Sequence, residues 1–316
     1  MNPAGGRLSI FLPLAPATQD RLLPFGRLAV QLGVRRIWQG QGDAGCPYQT
    51  FAALAACGVR LPFGVGVSVL PLQHPFDLAM RARNLALSTG RKVTVGIGTG
   101  AVRLQEAMLG RPYRDPLAAA GEYVTIVRHL LDGDRCSVQG SYFTCTAGLP
   151  PAGPADTEIA LGVLRPGMAR LAGAVADAAI TWMAPPRYLA DTLIPALRAS
   201  AERAGRKAPR TVAVVPVACA AAGRTAEQIL LAGNGAHLRQ PHYRAMLREA
   251  RLSAPTPAAF ITAGGMAYGS PADVRAALDE YFEAGADEVV LDTTGVRRAY
   301  GLAAAAEDIA AVLGDR

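Results

Sequence analysis

Residues 61–101 read LPFGVGVSVLPLQHPFDLAMRARNLALSTGRKVTVGIGTGA and contain two apolar segments separated by a helical one. The continuous apolar runs at residues 63–70 and 93–97 are typical of strands buried on both faces of a parallel sheet. Between them, Pro75 stands where a first helical turn would begin, because its missing N–H needs no partner there. The stretch therefore predicts a strand–helix–strand unit with two parallel strands and a right-handed crossover.

Both predicted strands run directly into turn-forming segments, at residues 68–71 and 98–100. Parallel α/β folds bind their ligands at the C-terminal ends of the strands, so these two turns are the first candidates for a binding site. Gly98-Thr99-Gly100 would let the backbone approach a flat ligand closely. A plain turn at a strand end has the same sequence pattern, and both interpretations stay open at this point.

The alternation of strand and helix patterns continues along the rest of the chain. The predicted strands cover residues 8–14, 35–38, 63–70, 93–97, 157–163, 177–182, 211–219 and 288–291. The rhythm is interrupted after the fourth strand, where residues 104–110 look irregular, residues 116–131 form an amphipathic helix and a β-hairpin follows. We predict an α/β fold, a (β/α)8 TIM barrel with an insertion after strand four (about 101–150), forming a single domain over residues 1–316.

Composition and charge exclude several classes of protein. Hydrophobic residues make up 51% of the chain and charged residues 18%, which is enough for a large core. The net charge is +7, but lysine and arginine are scattered without aromatic clusters, so we expect no nucleic-acid partner. A solvated basic surface and attraction for an anionic small molecule both explain the charge. No apolar run reaches the ~20 residues of a membrane span and no secretory segment is visible, so we expect no membrane partner and a cytoplasmic location.

Familiar catalytic and metal-binding motifs are absent. The five cysteines include no CxxC pair and the four histidines lack ligand spacing, which predicts reduced thiols and no metal site. The nucleophile-elbow and P-loop patterns do not occur, and residues 96–100 lack the spacing of a dinucleotide-binding fingerprint. His74 precedes Pro75 at a helix start, where we expect it to cap the helix.

The segment Leu164-Arg165-Pro166-Gly167-Met168 connects the fifth predicted strand to its helix. Free N–H groups at a helix start attract anions, and the Arg165 guanidinium can hold a phosphate with two parallel hydrogen bonds. An ordinary loop with a surface arginine fits the same residues equally well.

Several different short motifs are distributed along nearly the whole chain. They are Val67-Ser68-Val69-Leu70-Pro71, His74-Pro75, Ser88-x-Gly90-Arg91 leading to Gly96-Ile97-Gly98-Thr99-Gly100, Leu171-Ala172-Gly173 with Ala176-Asp177, Ala204-Gly205-Arg206, and residues 269–274 with 284–287. In this combination and order, the chain resembles the bacterial luciferase-like superfamily of flavin and deazaflavin enzymes, in its coenzyme F420-dependent branch. Each motif is weak alone, and the combination is fairly specific.

The resemblance implies a (β/α)8 barrel that binds F420 at the C-terminal ends of its strands. Ser68-Val69 matches the place where F420 enzymes of the family carry a non-proline cis peptide behind the deazaflavin ring, pressing on one face and exposing the other for hydride transfer. Thr99 and Gly100 match residues that line the ring and ribityl chain. Residues 164–168 match the phosphate-binding turn.

Two departures from the family pattern bear on the direction of the reaction. Sugar-phosphate dehydrogenases of the family carry Ser-Asp-His where this chain has Gly40-Gln41-Gly42, and a glutamate where it has Ala101. Because the acid–base pair for oxidising an alcohol is missing, we expect hydride transfer from reduced F420 to an activated C=C or C=N bond, with Gln41 or water as the hydrogen-bond donor. Trp38 and Trp182, both at strand ends, are candidates for the substrate pocket, although a core position is commoner for such a tryptophan.

Two other functions remain open. The same fold and phosphate site serve FMN-dependent monooxygenases, and the missing acid–base residues also fit a cofactor-binding subunit or a barrel without cofactor. The Ser-Val pair, the single-chain length and the basic charge favour F420, whose oligoglutamate tail is acidic. The resemblance further implies a small-molecule substrate, with its pocket built from residues 43–47, 102–116 and 239–265, and a homodimer.

Overall fold

The computed structural model describes residues 5–13, 18–41, 45–252 and 256–314. The strands of this part are β1 (Leu8–Phe11), β2 (Ile37–Gln39), β3 (Phe63–Val69), β4 (Val93–Gly98), β5 (Val138–Gln139), β6 (Thr144–Cys145), β7 (Thr157–Gly162), β8 (Ala178–Trp182), β9 (Arg210–Cys219), β10 (Ala267–Gly269) and β11 (Glu288–Asp292). The helices are α1 (Gln19–Gln31), α2 (Pro47–Ala56), α3 (Pro75–Thr89), α4 (Val102–Leu109), α5 (Pro116–Leu131), α6 (Pro166–Val175), α7 (Pro186–Tyr188), α8 (Ile194–Arg203), α9 (Ala226–Leu238), α10 (Pro241–Glu249), α11 (Pro257–Thr262), α12 (Pro271–Glu283) and α13 (Thr294–Leu313).

Eight of these strands close into a parallel barrel in the order β1-β2-β3-β4-β7-β8-β9-β11, with helices between them. The ring closes where β11 pairs with β1, with Asp292 opposite Phe11. The predicted (β/α)8 barrel is therefore confirmed. The short strand β10, which the sequence pattern did not indicate, pairs with the upper part of β9.

Local sequence signals explain where several helices begin. Ser270 and Asp273 form a reciprocal capping box at the start of α12, as the Ser-Pro-Ala-Asp pattern indicates. The ring of His74 caps α3 by accepting a hydrogen bond from the N–H of Phe76 at 3.2 Å, which confirms its expected capping role. Asp115 caps α5 by accepting from two backbone N–H groups at 3.0 Å each.

The insertion between β4 and β7 is more regular than its sequence indicates. The irregular segment expected at residues 104–110 is in fact the helix α4, which ends at Gly110 in the left-handed conformation. Gln105 on this helix is almost fully buried, and its Nε2 donates to the carbonyls of Thr99 and Gly100 at 3.1 and 2.9 Å. These long-range contacts hold α4 in place, which explains why a local pattern could not indicate it.

Alternating side chains divide the barrel interior into layers. The layer at the N-terminal ends of the strands is polar and internally hydrogen-bonded; its members include Ser9, Arg36, Thr94, Glu158, Arg210 and Glu288. Above it lies an apolar layer that contains Trp38, Ile180, Val212, Val214 and Val290. A separate apolar core fills the space between the barrel and its helices.

Candidate functional site at the open end of the barrel

The C-terminal ends of the barrel strands form the mouth of the barrel, and its two sides carry different kinds of residue. On the side of β4 and β7, Gly98 and Gly162 contribute no side chain and face Val67 of β3. On the side of β8, β11 and β1, the corresponding positions are Trp182, Asp292 and Phe11, and the rings of Phe11 and Trp182 stack with centroids 6.2 Å apart. The mouth therefore has one half in which Val67 covers glycines and one half formed by aromatic and polar side chains.

The strand β3 bulges at this mouth. Its pairing with β4 shifts between Val65 and Ser68, and the peptide bond between Gly66 and Val67 is cis. The sequence-based prediction placed the cis bond at Ser68-Val69, so it was wrong by two residues, although it identified the correct strand. The side chain of Ser68 is buried, with its hydroxyl 3.5 Å from Tyr48 of α2, on the outer side of the barrel.

Glycines on the neighbouring strands make room for the bulge. A Cβ added to Gly98 would lie 2.6 Å from Cγ2 of Val67, and one added to Gly162 would lie 3.2 Å from its Cγ1. A Cβ at Gly96 would contact the carbonyl oxygen of Val65. Since real Cβ atoms do not approach other atoms so closely, the Val67 side chain can sit over β4 and β7 only because these positions are glycines.

Gln41 holds the bulge from the exit of β2. Its backbone N–H donates to the Val67 carbonyl at 3.1 Å, and its side-chain oxygen accepts from the Val69 N–H at 3.0 Å and from Gln73 at 3.2 Å. The residue predicted as a hydrogen-bond donor to substrate is thus an anchor of the bulge, through its backbone N–H and its side-chain carbonyl oxygen. A contact between its amide and a substrate stays a prediction. Gly42, and residues 43 and 44 of the predicted pocket segment 43–47, lie outside the described residues.

Val69, Thr99 and Gly100 lie together at the adjacent exits of β3 and β4. A Cβ added to Gly100, which has φ +74°, would lie 3.6 Å from Cβ of Val69. Thr99 and Gly100 are only partly buried, and Gln105 fixes both of their carbonyls. The structure therefore brings these three predicted cofactor-binding residues to one edge of the mouth, beside the bulge.

The predicted phosphate-binding turn carries an ion pair that the sequence did not indicate. Leu164, Arg165, Pro166, Gly167 and Met168 connect β7 to α6, and Pro166 is the first residue of the helix. Nε and Nη2 of Arg165 both contact Oε1 of Glu249, at the end of α10, at 2.8 Å. The Tyr188 hydroxyl lies 2.9 Å from the other oxygen of this carboxylate and 3.2 Å from the Leu164 carbonyl.

Trp38 does not line a substrate pocket. It is fully buried inside the barrel, and its Nε1 donates to Glu288 in the polar layer at 2.7 Å. Its ring lies against Gly64 and Gly66, so it supports β3 from below the bulge. The prediction failed because a strand-end position in the sequence does not say how deep in the barrel the side chain lies.

Trp182 lies at the mouth, as predicted, beside polar groups that the sequence did not single out. Its ring centroid is 4.5 Å from that of His237 on α9. Among the described residues, Nε1 of Trp182, Nδ1 of His237, Nδ2 of Asn234 and Oδ2 of Asp292 are buried without a hydrogen-bond partner. Such groups are rare in folded proteins, so this cluster is a candidate for recognising polar atoms of a ligand.

Electrostatics at this cluster favour neutral groups. Burial raises the pKa of the Asp292 carboxyl above its ordinary value, while the hydrogen bond from the Thr294 N–H and the nearby polar groups of Trp182 and Asn234 oppose that shift only in part. Burial also lowers the pKa of His237, with help from His242 and Arg298. Two N–H donors and a carboxyl oxygen at one place suit a hydroxyl or carbonyl group of a ligand.

In the described ranges, no group of three or more His, Cys, Asp or Glu side chains is arranged to hold a metal ion. No helix in the same ranges has the length and apolar character needed to cross a membrane.

Similar proteins of named activity match part of the chain. The F420-dependent glucose-6-phosphate dehydrogenase of Nakamurella multipartita is 31% identical over 174 residues, 53% of this chain and 50% of the relative. The F420-dependent hydroxymycolic acid dehydrogenase of Mycobacterium tuberculosis is 28% identical over 225 residues, 65% of this chain and 60% of the relative. The matches thus span only 50% and 60% of the length of these relatives.

The fold has close counterparts among solved structures. An F420-dependent secondary alcohol dehydrogenase, solved with an F420–acetone adduct, superposes with a TM-score of 0.77 at 19% identity and covers 97% of this chain and 99% of its own. At this identity the likeness supports the fold alone. The profile of the luciferase-like monooxygenases matches residues 7–288, so the chain belongs to that family, as its motifs predicted.

Proposed function

We propose that this protein is an F420H2-dependent reductase that transfers a hydride from reduced deazaflavin to an activated C=C or C=N bond of a small molecule. The observation that carries the proposal is the bulge of β3, which places the Val67 side chain over the glycines of β4 and β7 at the mouth, where a planar ring would lie against it. The F420 dependence of the two relatives supports the choice of cofactor.

The residues at the mouth fit such a cofactor. Gly98 and Gly162 let the Val67 side chain lie over β4 and β7, and a planar ring would rest against this side chain. The N–H groups at the start of α6 and the Arg165 guanidinium are the donors that a phosphate requires. When bound, reduced F420 supplies a hydride.

The protein's own residues position and shield the reacting groups. Val67 backs one face of the ring, and Gln41 fixes Val67 through the hydrogen bonds described above. Phe11 and Trp182 form an apolar wall on the opposite half of the mouth, which excludes water from the reacting atoms. Asp292 holds a proton at higher pH than an exposed carboxyl does, because burial raises its pKa.

The direction of transfer follows from which residues are missing. Gly40, Gln41 and Ala101 occupy the positions where an alcohol-oxidising acid–base pair would stand, and none of them accepts a proton. We expect stopped-flow mixing of the protein and reduced F420 with cyclohexenone or a cyclic imine to oxidise the cofactor. Turnover only with oxidised F420 and an alcohol would reverse this assignment.

An FMN-dependent monooxygenase is the second candidate, and the description of the matched family favours it. Absorbance titrations of the purified protein with F420 and with FMN separate the two. We expect saturable F420 binding that is tighter than FMN binding. Binding of FMN alone would favour the monooxygenase, and binding of neither would favour a barrel without a cofactor. The small-molecule substrate and the homodimer stay predictions, the latter measurable by light scattering.

A further inference from the structure

We propose that Glu249 competes with the phosphate of the cofactor for Arg165, and so determines how strongly the protein prefers phosphorylated over unphosphorylated flavins or deazaflavins. The inference rests on the phosphate position of the proposed function, but it does not depend on which of F420 and FMN is the cofactor. It concerns one carboxylate, on α10, that lies against the turn between β7 and α6.

The contacts show that Glu249 pairs with the guanidinium to which the phosphate is proposed to bind. Both Nε and Nη2 of Arg165 contact its Oε1 at 2.8 Å, so the edge of the guanidinium that would hold a phosphate is occupied. The two side chains are 84 residues apart in the sequence and lie beside the N-terminus of α6, where the helix dipole favours negative charge. A carboxylate and a phosphate cannot both use this edge, and they repel each other at contact distance.

Tyr188 makes the exchange possible without leaving a buried donor unpaired. Its hydroxyl lies 2.9 Å from Oε2 of Glu249 and 3.2 Å from the carbonyl of Leu164, and it has one proton to donate. When the Glu249 side chain turns away, this proton still has the Leu164 carbonyl as an acceptor. The departure of the carboxylate therefore does not incur the cost of an orphaned hydroxyl.

Exposure keeps the competing ion pair weak enough to be displaced. The Arg165 side chain is 54% exposed and that of Glu249 is 31% exposed, which places the pair at the surface of the mouth. Ion pairs of this kind contribute little to stability, whereas a phosphate brings more charge and more acceptor oxygens to the same guanidinium. The carboxylate thus weakens phosphate binding without abolishing it.

The test compares ligands that differ only beyond the ribityl chain. The affinities of wild-type protein and Glu249→Gln are measured by fluorescence titration with F420 and with its phosphate-free riboside, and in parallel with FMN and riboflavin. We expect Glu249→Gln to bind the phosphorylated member of a pair about three- to tenfold more tightly, with no change for the unphosphorylated member. Equal effects on both members, or no effect on either, would overturn the proposal.

Two variants control for other causes. Asp156→Asn removes the same charge from an exposed pair with Lys92 at the opposite end of the barrel, so it should leave all four affinities unchanged. In an Arg165→Ala background, Glu249→Gln should no longer discriminate between phosphorylated and unphosphorylated ligands.

The proposed function and this inference fail in different ways. If wild-type protein binds FMN but not F420, the reductase assignment is wrong, and the FMN–riboflavin pair still tests Glu249. If no flavin binds, calorimetric titration with inorganic phosphate takes its place. Tighter phosphate binding by Glu249→Gln than by wild type supports competition, and equal binding refutes it.

Discussion

The side-chain carboxyl of Asp292 has one oxygen that accepts a hydrogen bond and one that has no partner among the described residues. Oδ1 accepts a hydrogen bond from the Thr294 N–H at 2.9 Å, while Oδ2 is buried without a partner among the described residues. The side chain is only 2% exposed, so the charged form loses most of its hydration. Burial raises its pKa, which means that the folded protein binds this proton more tightly than the unfolded chain does.

This linkage predicts how stability changes with pH. A raised pKa in the folded state gives stability that is fully present at low pH and is lost as the pH rises through the folded-state pKa. Relative to Asp292→Asn, wild-type protein should therefore lose free energy of unfolding as the pH rises above the ordinary carboxyl pKa of about 4. Urea unfolding of both proteins across this range measures the difference. A difference independent of pH would show that Asp292 ionises equally readily in both states.

At the scale of the element, the bulge in β3 depends on the strands beside it. Val67 occupies space that β4 and β7 leave free at Gly96, Gly98 and Gly162. Gln41, at the end of β2, holds the same bulge from the other side. The shape of the mouth is therefore a joint property of four adjacent strands and does not belong to β3 alone.

Adding a side chain at Gly98 of β4 should disturb the packing of Val67. In Gly98→Ala the new methyl group would lie 2.6 Å from Cγ2 of Val67, so one of them must move. Overpacking of this kind typically costs about 1–3 kcal/mol in the free energy of unfolding. Chemical unfolding measures the loss, and the affinity for F420 should fall in parallel.

A control variant and a double variant test whether the clash with Val67 causes the loss of stability. A Cβ at Gly153 meets no atom within 4 Å, so Gly153→Ala should change stability by less than about 0.5 kcal/mol. Adding Val67→Ala to Gly98→Ala should recover part of the loss, because it removes the opposing methyl group. Additive effects of the two changes would mean that the clash is not the cause.

At the scale of the whole molecule, an ionic network ties the barrel together at the end opposite the mouth. Arg210 on β9 contacts Glu158 on β7 at 2.7 Å and Glu288 on β11 at 2.6 Å. Burial alone would raise the pKa of Glu158, but the hydrogen bonds and charge of Arg210, with Thr94 and Arg36, outweigh it and lower the pKa to about 2. The network thus makes the closure of the barrel sensitive to acid.

Glu158→Gln should show this acid dependence with the opposite sign from Asp292. A pKa lowered from 4.5 to about 2 corresponds to about 3 kcal/mol of stability, present at neutral pH and lost as the pH falls between those values. We expect Glu158→Gln to be less stable than wild type by about that amount at neutral pH, and the difference to shrink towards about pH 2. Asp156→Asn, in its exposed pair with Lys92, should cost less than about 1 kcal/mol at neutral pH. Equal pH profiles for wild type and Glu158→Gln would refute the assignment.

The sequence by itself determined the order of the eight barrel strands, the closed barrel and the strand exits at which the candidate site residues lie. These features follow from local signals, since apolar runs, proline at helix starts and caps such as Ser270 act over a few residues. The same signals placed Thr99, Gly100 and residues 164–168 at strand exits, where the structure also has them, because every parallel strand ends at the same edge.

Only the tertiary structure decided which atoms meet at those exits. The cis bond lies at Gly66–Val67, two residues before the predicted place, because its position depends on space left by glycines of other strands. Trp38 is buried and Trp182 is at the mouth, since depth along the barrel axis depends on how the strands are staggered. The pairing of Arg165 with Glu249 joins residues 84 positions apart, and no local pattern carries information about a contact of that range.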